Sequence, residues 1–190
     1  MGRREDIIDA ALSIMSEDGA RGLTLPAIFE RVGTGSGTFY HYFKGVDALI
    51  QEVFVHCCAI SQEALRSTDD PSMPIRERFF LCVKAIFQAY VDYPREMKFL
   101  YWYAYGYVVP NETNPDSIPS LDFLVEVLED AQASGLVETG VAPVVEARMV
   151  RGLIASAVWG NDRGMFADDP KSLHVFTKAC WRFVGGSNDK

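Results

Sequence analysis

The chain reads as all-α. Three observations predict this. Apolar residues recur at three- and four-residue spacing in almost every segment, no apolar–polar alternation persists, and glycine or proline punctuates the joins. The expected architecture is an N-terminal three-helix domain with a helix-turn-helix, then a larger C-terminal helical bundle, about nine helices in total. With 190 residues, 48% hydrophobic and 23% charged, the chain has ample material for a packed core.

Taken in order, Ile7, Ile8, Ala11, Leu12, Ile14 and Met15 form one face of a first helix that ends near Gly19. Leu25, Ile28, Phe29 and Val32 make a second, short helix. Thr24 caps it, and Pro26 sits in its first turn, where a missing N–H costs nothing. Gly33 gives the backbone freedom that a tight turn needs. The third helix offers Ser36, Thr38, Tyr40 and His41 as hydrogen-bonding groups, while Phe39 and Phe43 anchor it. A long helix starts near Val46, keeps Leu49, Ile50, Val53, Phe54, Cys57, Ile60, Ser61 and Ala64 on one face, and is broken by Asp69-Asp70-Pro71. Ile75, Phe79, Cys82, Val83, Ile86, Phe87 and Tyr90 mark the next helix, which closes near Tyr93-Pro94. Another helix follows to about Tyr107, then a loop over Val108–Pro119. Helices are expected at about 119–134 and 143–166, separated by Gly135 and Gly140. Asp168-Asp169-Pro170 starts the last one, with Leu173, Phe176, Cys180, Phe183 and Val184.

Short helix, glycine turn and polar short helix together are the layout of a DNA-reading head. The candidate DNA-binding residues are Thr24, Ser36, Gly37, Thr38, Phe39, Tyr40, His41 and Lys44. Charge pulls the other way. The net charge is −8, and residues 1–50 carry five basic against seven acidic side chains, although phosphate contacts dominate DNA affinity. Placement offsets this in part: Arg3 and Arg4 lead the first helix, and Lys44 follows the third.

These residues carry a family resemblance. From Ile7-Ile8-Asp9-Ala10-Ala11-Leu12, through Gly19 and Thr24, to Gly33-x-x-x-Gly37-Thr38-x-Tyr40-x-x-Phe43 and Leu49, the chain resembles the N-terminal domain of TetR-type transcriptional regulators. The match covers about the first quarter of the chain; the rest agrees only in its all-helical style. The chain departs from the family pattern at Phe29, where alanine is usual, and at Thr34-Gly35, where Val-Ser is usual. Gly35 or Ser36 must then cap the reading helix. It departs again at Val46, where lysine is common and for which Lys44 is the substitute. The resemblance implies a DNA-binding domain over 1–46 and a ligand-binding and dimerisation domain over 47–190. It implies a homodimer on a palindromic operator, with two reading helices in successive major grooves about 34–36 Å apart.

Two further constellations bear on function. Residues 99–107 hold six aromatics in nine positions, four of them tyrosines. Such a helix is either core or the wall of a cavity that satisfies the tyrosine hydroxyls. On the second reading, Phe87, Tyr90, Tyr101, Trp102, Tyr105, Phe123 and Trp159 line a pocket for a small aromatic or amphipathic effector. Gly152, Ser156, Gly160 and Gly164 recur every four residues and let another helix approach closely. Packing within one subunit and a glycine kink are the plainer readings. By the resemblance, these residues with Phe176, Cys180 and Phe183 belong to a dimer seam of the last two helices.

Other classes find no support. No run reaches the roughly 18 apolar residues of a membrane span. No secretion signal follows Met1-Gly2-Arg3-Arg4, so a cytoplasmic protein is expected. Cys57, Cys58, Cys82 and Cys180 form neither a disulfide framework nor a metal spacing. Gly33-x-Gly35-x-Gly37 follows no strand and lacks the third glycine of a nucleotide loop. No catalytic constellation, metal or cofactor is expected. The function read here is a ligand-responsive transcriptional regulator, most simply a repressor. The alternative is a helix-turn-helix module that binds ligand or protein and no longer binds DNA.

Overall fold

The computed structural model describes residues 2–106, 121–161 and 169–186; for residues 20, 102–106 and 159–161 it describes the backbone alone. The described residues hold nine α-helices and no strand: α1 (Arg3–Asp18), α2 (Leu25–Val32), α3 (Ser36–Tyr42), α4 (Val46–Arg66), α5 (Ile75–Asp92), α6 (Pro94–Gly106), α7 (Asp122–Ala133), α8 (Pro143–Asn161) and α9 (Pro170–Phe183). The fold class is all-α, as the periodicity predicts. A 3-10 turn over Ala20–Gly22, absent from the sequence reading, carries the chain from α1 to α2. None of the described helices is long and apolar enough to cross a membrane. The expected loop over 108–119 lies outside the described residues, as does the expected extension of α8 to residue 166.

The chain packs as two compact units that divide within α4, between Ile60 and Ser61. The first unit holds α1 to α3, α4 as far as Ile60, and α6. The second holds α4 from Ser61 onward, α5, α7, α8 and α9.

In the first unit the apolar face of α1 (Ile7, Ala11, Leu12, Ile14) is buried with Ile28, Phe39, Leu49 and Val53. The α6 helix joins through side chains far away in sequence. Arg95 donates from Nη1 to Ser13 Oγ at 2.7 Å and from Nη2 to Asp9 Oδ1 at 2.8 Å, and Lys98 Nζ donates to the Ser16 carbonyl at 3.3 Å.

In the second unit α5 packs against α7, α8 and α9. Its Phe79 is wholly buried and lies 5.2 Å, centre to centre, from the ring of Trp181 on α9. Asp169 caps α9: its carboxylate accepts from the backbone N–H of Lys171 (2.9 Å) and Ser172 (3.0 Å), and Pro170 occupies the first turn. This is the cap-plus-proline start read from the sequence, with Asp169 as the capping residue.

Candidate nucleic-acid interface

Local chemistry sets both ends of α2. The Thr24 hydroxyl accepts from Ala27 N–H at 3.4 Å, and Gly33 closes the helix in the left-handed region (φ 64°, ψ 42°), its N–H returning to the Phe29 carbonyl. A side chain at Gly33 would meet nothing within 4 Å, so backbone conformation alone demands glycine there. Gly35 caps α3 without a side-chain bond, which answers the loss of the usual serine.

The seven-residue α3 is too short to hold its shape in water and relies on packing. Phe39 supplies the packing. It is 0% exposed, with the Phe29 ring 5.9 Å away edge-on and the Phe43 ring at 5.6 Å. This corrects one assignment: Phe39 anchors α3 from inside and is not on its exposed face, because it packs against its i, i+4 partner Phe43, also buried, and the half-buried Phe29 of α2. Ser36, Gly37, Tyr40, His41 and Lys44 are exposed, and Thr38 is half-buried. Thr24 is exposed too, although its hydroxyl is engaged in the cap. Tyr42 is a further exposed aromatic, in edge-on contact with His41 at 4.8 Å. Sequence reasoning passed over it for want of any periodic signal in so short a helix.

Ion pairing ties two of the unit's five early cations, Arg4 and Arg31, to carboxylates. Arg31 donates twice to Glu17, at 3.1 and 2.8 Å. Through that bond Glu17 is held below the ordinary carboxylate range, and Arg31 is raised above the ordinary arginine value. Arg4 pairs with Glu52, and Arg3 donates to the Val32 carbonyl at 3.3 Å. Arg21 and Lys44 are exposed and make no ion pair among the described residues. The arrangement offers an aromatic, hydrogen-bonding helix face with few free positive charges.

The other candidate residues fall as follows. Phe87, Tyr90 and Phe123 are buried in the second unit, and Tyr101 is half-buried in the first. The guanidinium groups of Arg66 and Arg78 stand 5.8 and 6.0 Å from the centre of the Phe123 ring. Arg78 is held by Asp69 at 2.9 Å and Asp130 at 3.0 Å, and Arg66 by Glu126 at 3.2 Å. Phe123 therefore stands beside a charged corner of the second unit. The side chains of Trp102, Tyr105 and Trp159 lie outside the described residues. Of the proposed seam, Gly152 is half-buried with open space where a side chain would go, Ser156 and Phe183 are exposed, and Phe176 is half-buried. Gly164 and the surroundings of Gly160 lie outside the described residues. Cys180 is a correction: it is 1% exposed beside Trp181, and burial pushes its thiol up to about 12, so it belongs to the interior of its unit. The other three cysteines are also buried and free. No group of three or more metal-ligating side chains occurs among the described residues.

Residues 7–53 match the family model of bacterial regulatory proteins, tetR family. The chain is similar to an uncharacterized HTH-type transcriptional regulator, YvdT, of Bacillus subtilis, at 38% identity over 52 residues, 27% of each chain. It is also similar to the HTH-type transcriptional repressor KstR2 of Rhodococcus jostii, at 33% identity over 52 residues, 27% of this chain and 26% of the relative. The chain thus spans about a quarter of the length of these curated relatives. Among solved structures, a candidate tetR-family transcription regulator from Shewanella sp. PV-4 superposes with a TM-score of 0.86 at 16% identity, over 98% of this chain and 100% of that one.

Proposed function

The chain belongs to the TetR family of bacterial transcriptional regulators, and on that premise we propose that it is a homodimeric, ligand-responsive repressor of transcription acting in the cytoplasm. Residues 1–46 bind a palindromic operator, and residues 47–190 dimerise and take up a small hydrophobic or aromatic effector. One observation carries the reading. The α3 helix turns Ser36, Gly37, Tyr40 and His41 outward while Phe39 is wholly buried beneath them, and this supports a polar face able to read a major groove. Dimerisation is supported by the apolar residues that α8 and α9 leave uncovered: Met149 and Leu153 on one, Val175 and Phe183 on the other. Effector uptake rests on the buried α5 aromatics Phe87 and Tyr90. The effector releases the operator only if it binds the non-binding conformation more tightly.

A second reading has its own observation. Arg4 and Arg31 are tied to carboxylates and Arg3 to a carbonyl, which favours a TetR-like head without DNA affinity. A gel-shift assay with selected DNA at low salt separates the two. Specific binding whose salt slope falls by about one unit in Lys44→Ala supports the repressor. No shift with any selected DNA supports the second reading.

A further inference from the structure

A cavity of about 510 Å³ opens in the first unit between α1, α4 and the start of α6, within the size range of small-molecule sites. Its apolar wall is Ile8, Leu12, Val55 and Ala59. Its polar wall holds four carboxylates, Glu5, Asp9, Glu52 and Glu96, with Arg4 and His56. The Arg4–Glu52 pair and the bond from Arg95 to Asp9 occupy two of the carboxylates. Glu96 is different. It is only 7% exposed, it accepts no hydrogen bond among the described residues, and its nearest cation, Arg95 Nη2, stands 3.7 Å away while bonded to Asp9 at 2.8 Å. Beyond that one ion pair, no group among the described residues hydrogen-bonds this largely buried carboxylate, so it has acceptor capacity to offer a donor in the cavity.

We propose that this cavity is a binding site for an amphipathic organic ammonium ion. The ammonium group donates to Glu96 and to the neighbouring carboxylates, and the hydrocarbon body lies along Ile8, Leu12, Val55 and Ala59. An anion is repelled by the excess of carboxylates. An uncharged alcohol satisfies the apolar wall and leaves the excess of carboxylates over guanidinium groups uncompensated. A bare divalent ion leaves the apolar wall unused. The site is built from residues of the first unit alone and does not depend on DNA binding.

Isothermal titration calorimetry of the full chain with n-octylammonium chloride, below its micellar range, tests the site. Binding of one octylammonium per chain is expected, weaker at higher salt, with octanoate and octanol binding at least about 10-fold less tightly. Glu96→Gln should weaken octylammonium binding by about 10-fold or more, since a charge-assisted bond becomes a neutral one. Val55→Trp should abolish it by filling the cavity. Val55 is 61% exposed, so this variant keeps its fold and decides the matter if Glu96→Gln unfolds. Equal binding of octanol or octanoate, magnesium chloride displacing octylammonium at equal concentration, or full affinity in Val55→Trp would overturn the proposal.

Discussion

Phe39 and Tyr40 stand edge-on, ring centres 5.4 Å apart at 88°, the first wholly buried and the second 54% exposed. One peptide bond thus separates the helix's anchor from its most prominent outward side chain. Their substitutions should fail differently. Phe39→Ala should cost about 3–5 kcal/mol and lower the thermal midpoint sharply, with operator binding lost through unfolding. Tyr40→Ala should leave stability within about 0.5 kcal/mol and still weaken the operator complex. Calorimetric melting beside a gel shift reads both. Unchanged operator affinity in Tyr40→Ala would remove α3 from the role of reading helix.

Gly33 and Gly37 make a second contrasting pair. At both, an added Cβ meets nothing within 4 Å, but only Gly33 has a positive φ. Gly33→Ala should therefore destabilise by about 1–2 kcal/mol through backbone strain. Gly37→Ala meets no such penalty and should stabilise α3 by up to about 1 kcal/mol. If the DNA backbone approaches at Gly37, the same change should weaken operator binding. A Gly37→Ala protein that is both more stable and equally tight on DNA would take Gly37 out of the interface.

The exposed apolar residues of α8 and α9 lead to a prediction about assembly. Met149→Glu and Val175→Glu place a charge on the proposed seam without disturbing the interior, because both residues are exposed. Each variant should halve the mass seen by light scattering while keeping its helical circular dichroism. A wild-type mass in both variants would move the seam elsewhere.

Two carboxylates of the second unit should respond to pH in opposite senses. Hydrogen bonds from the Ser172 hydroxyl, then from the Ser172 and Lys171 N–H groups, hold Asp169 below its ordinary value of 3.8. The fold favours its ionised form, so its contribution is present at neutral pH and is lost as pH falls from 3.8 through the lowered value. Asp169→Ala should lower the melting temperature at pH 7, and the difference should shrink in acid. Burial raises Glu146 above 4.5 despite its bond from Gln132, so its contribution is present below 4.5 and is lost as pH rises through the raised value. Glu146→Gln should raise the melting temperature at pH 7 and make no difference below 4.5. Melting curves across pH 3–8 test both, and parallel curves for either variant and wild type would refute its assignment.

Sequence alone determined what is local. The helix positions follow from the 3.6-residue period. Several helix ends follow from single residues: Gly19 after α1, Thr24 and Gly33 around α2, and Asp169-Pro170 before α9. The α3 helix was legible because a turn glycine and its flanking aromatics act within a few residues of one another. Tertiary structure alone decided what depends on distant partners. It turned Phe39 and Cys180 inward, set Phe123 beside two arginines, and bound α6 to α1 through Arg95 and Asp9, 86 residues apart. It also decided which cations stay free, by pairing Arg31 with Glu17 and Arg4 with Glu52, and it brought Glu5, Asp9, Glu52 and Glu96 to one cavity. The physical reason is reach. Periodicity and capping record interactions within a helical turn or two, whereas burial and ion pairing depend on which helices pack together.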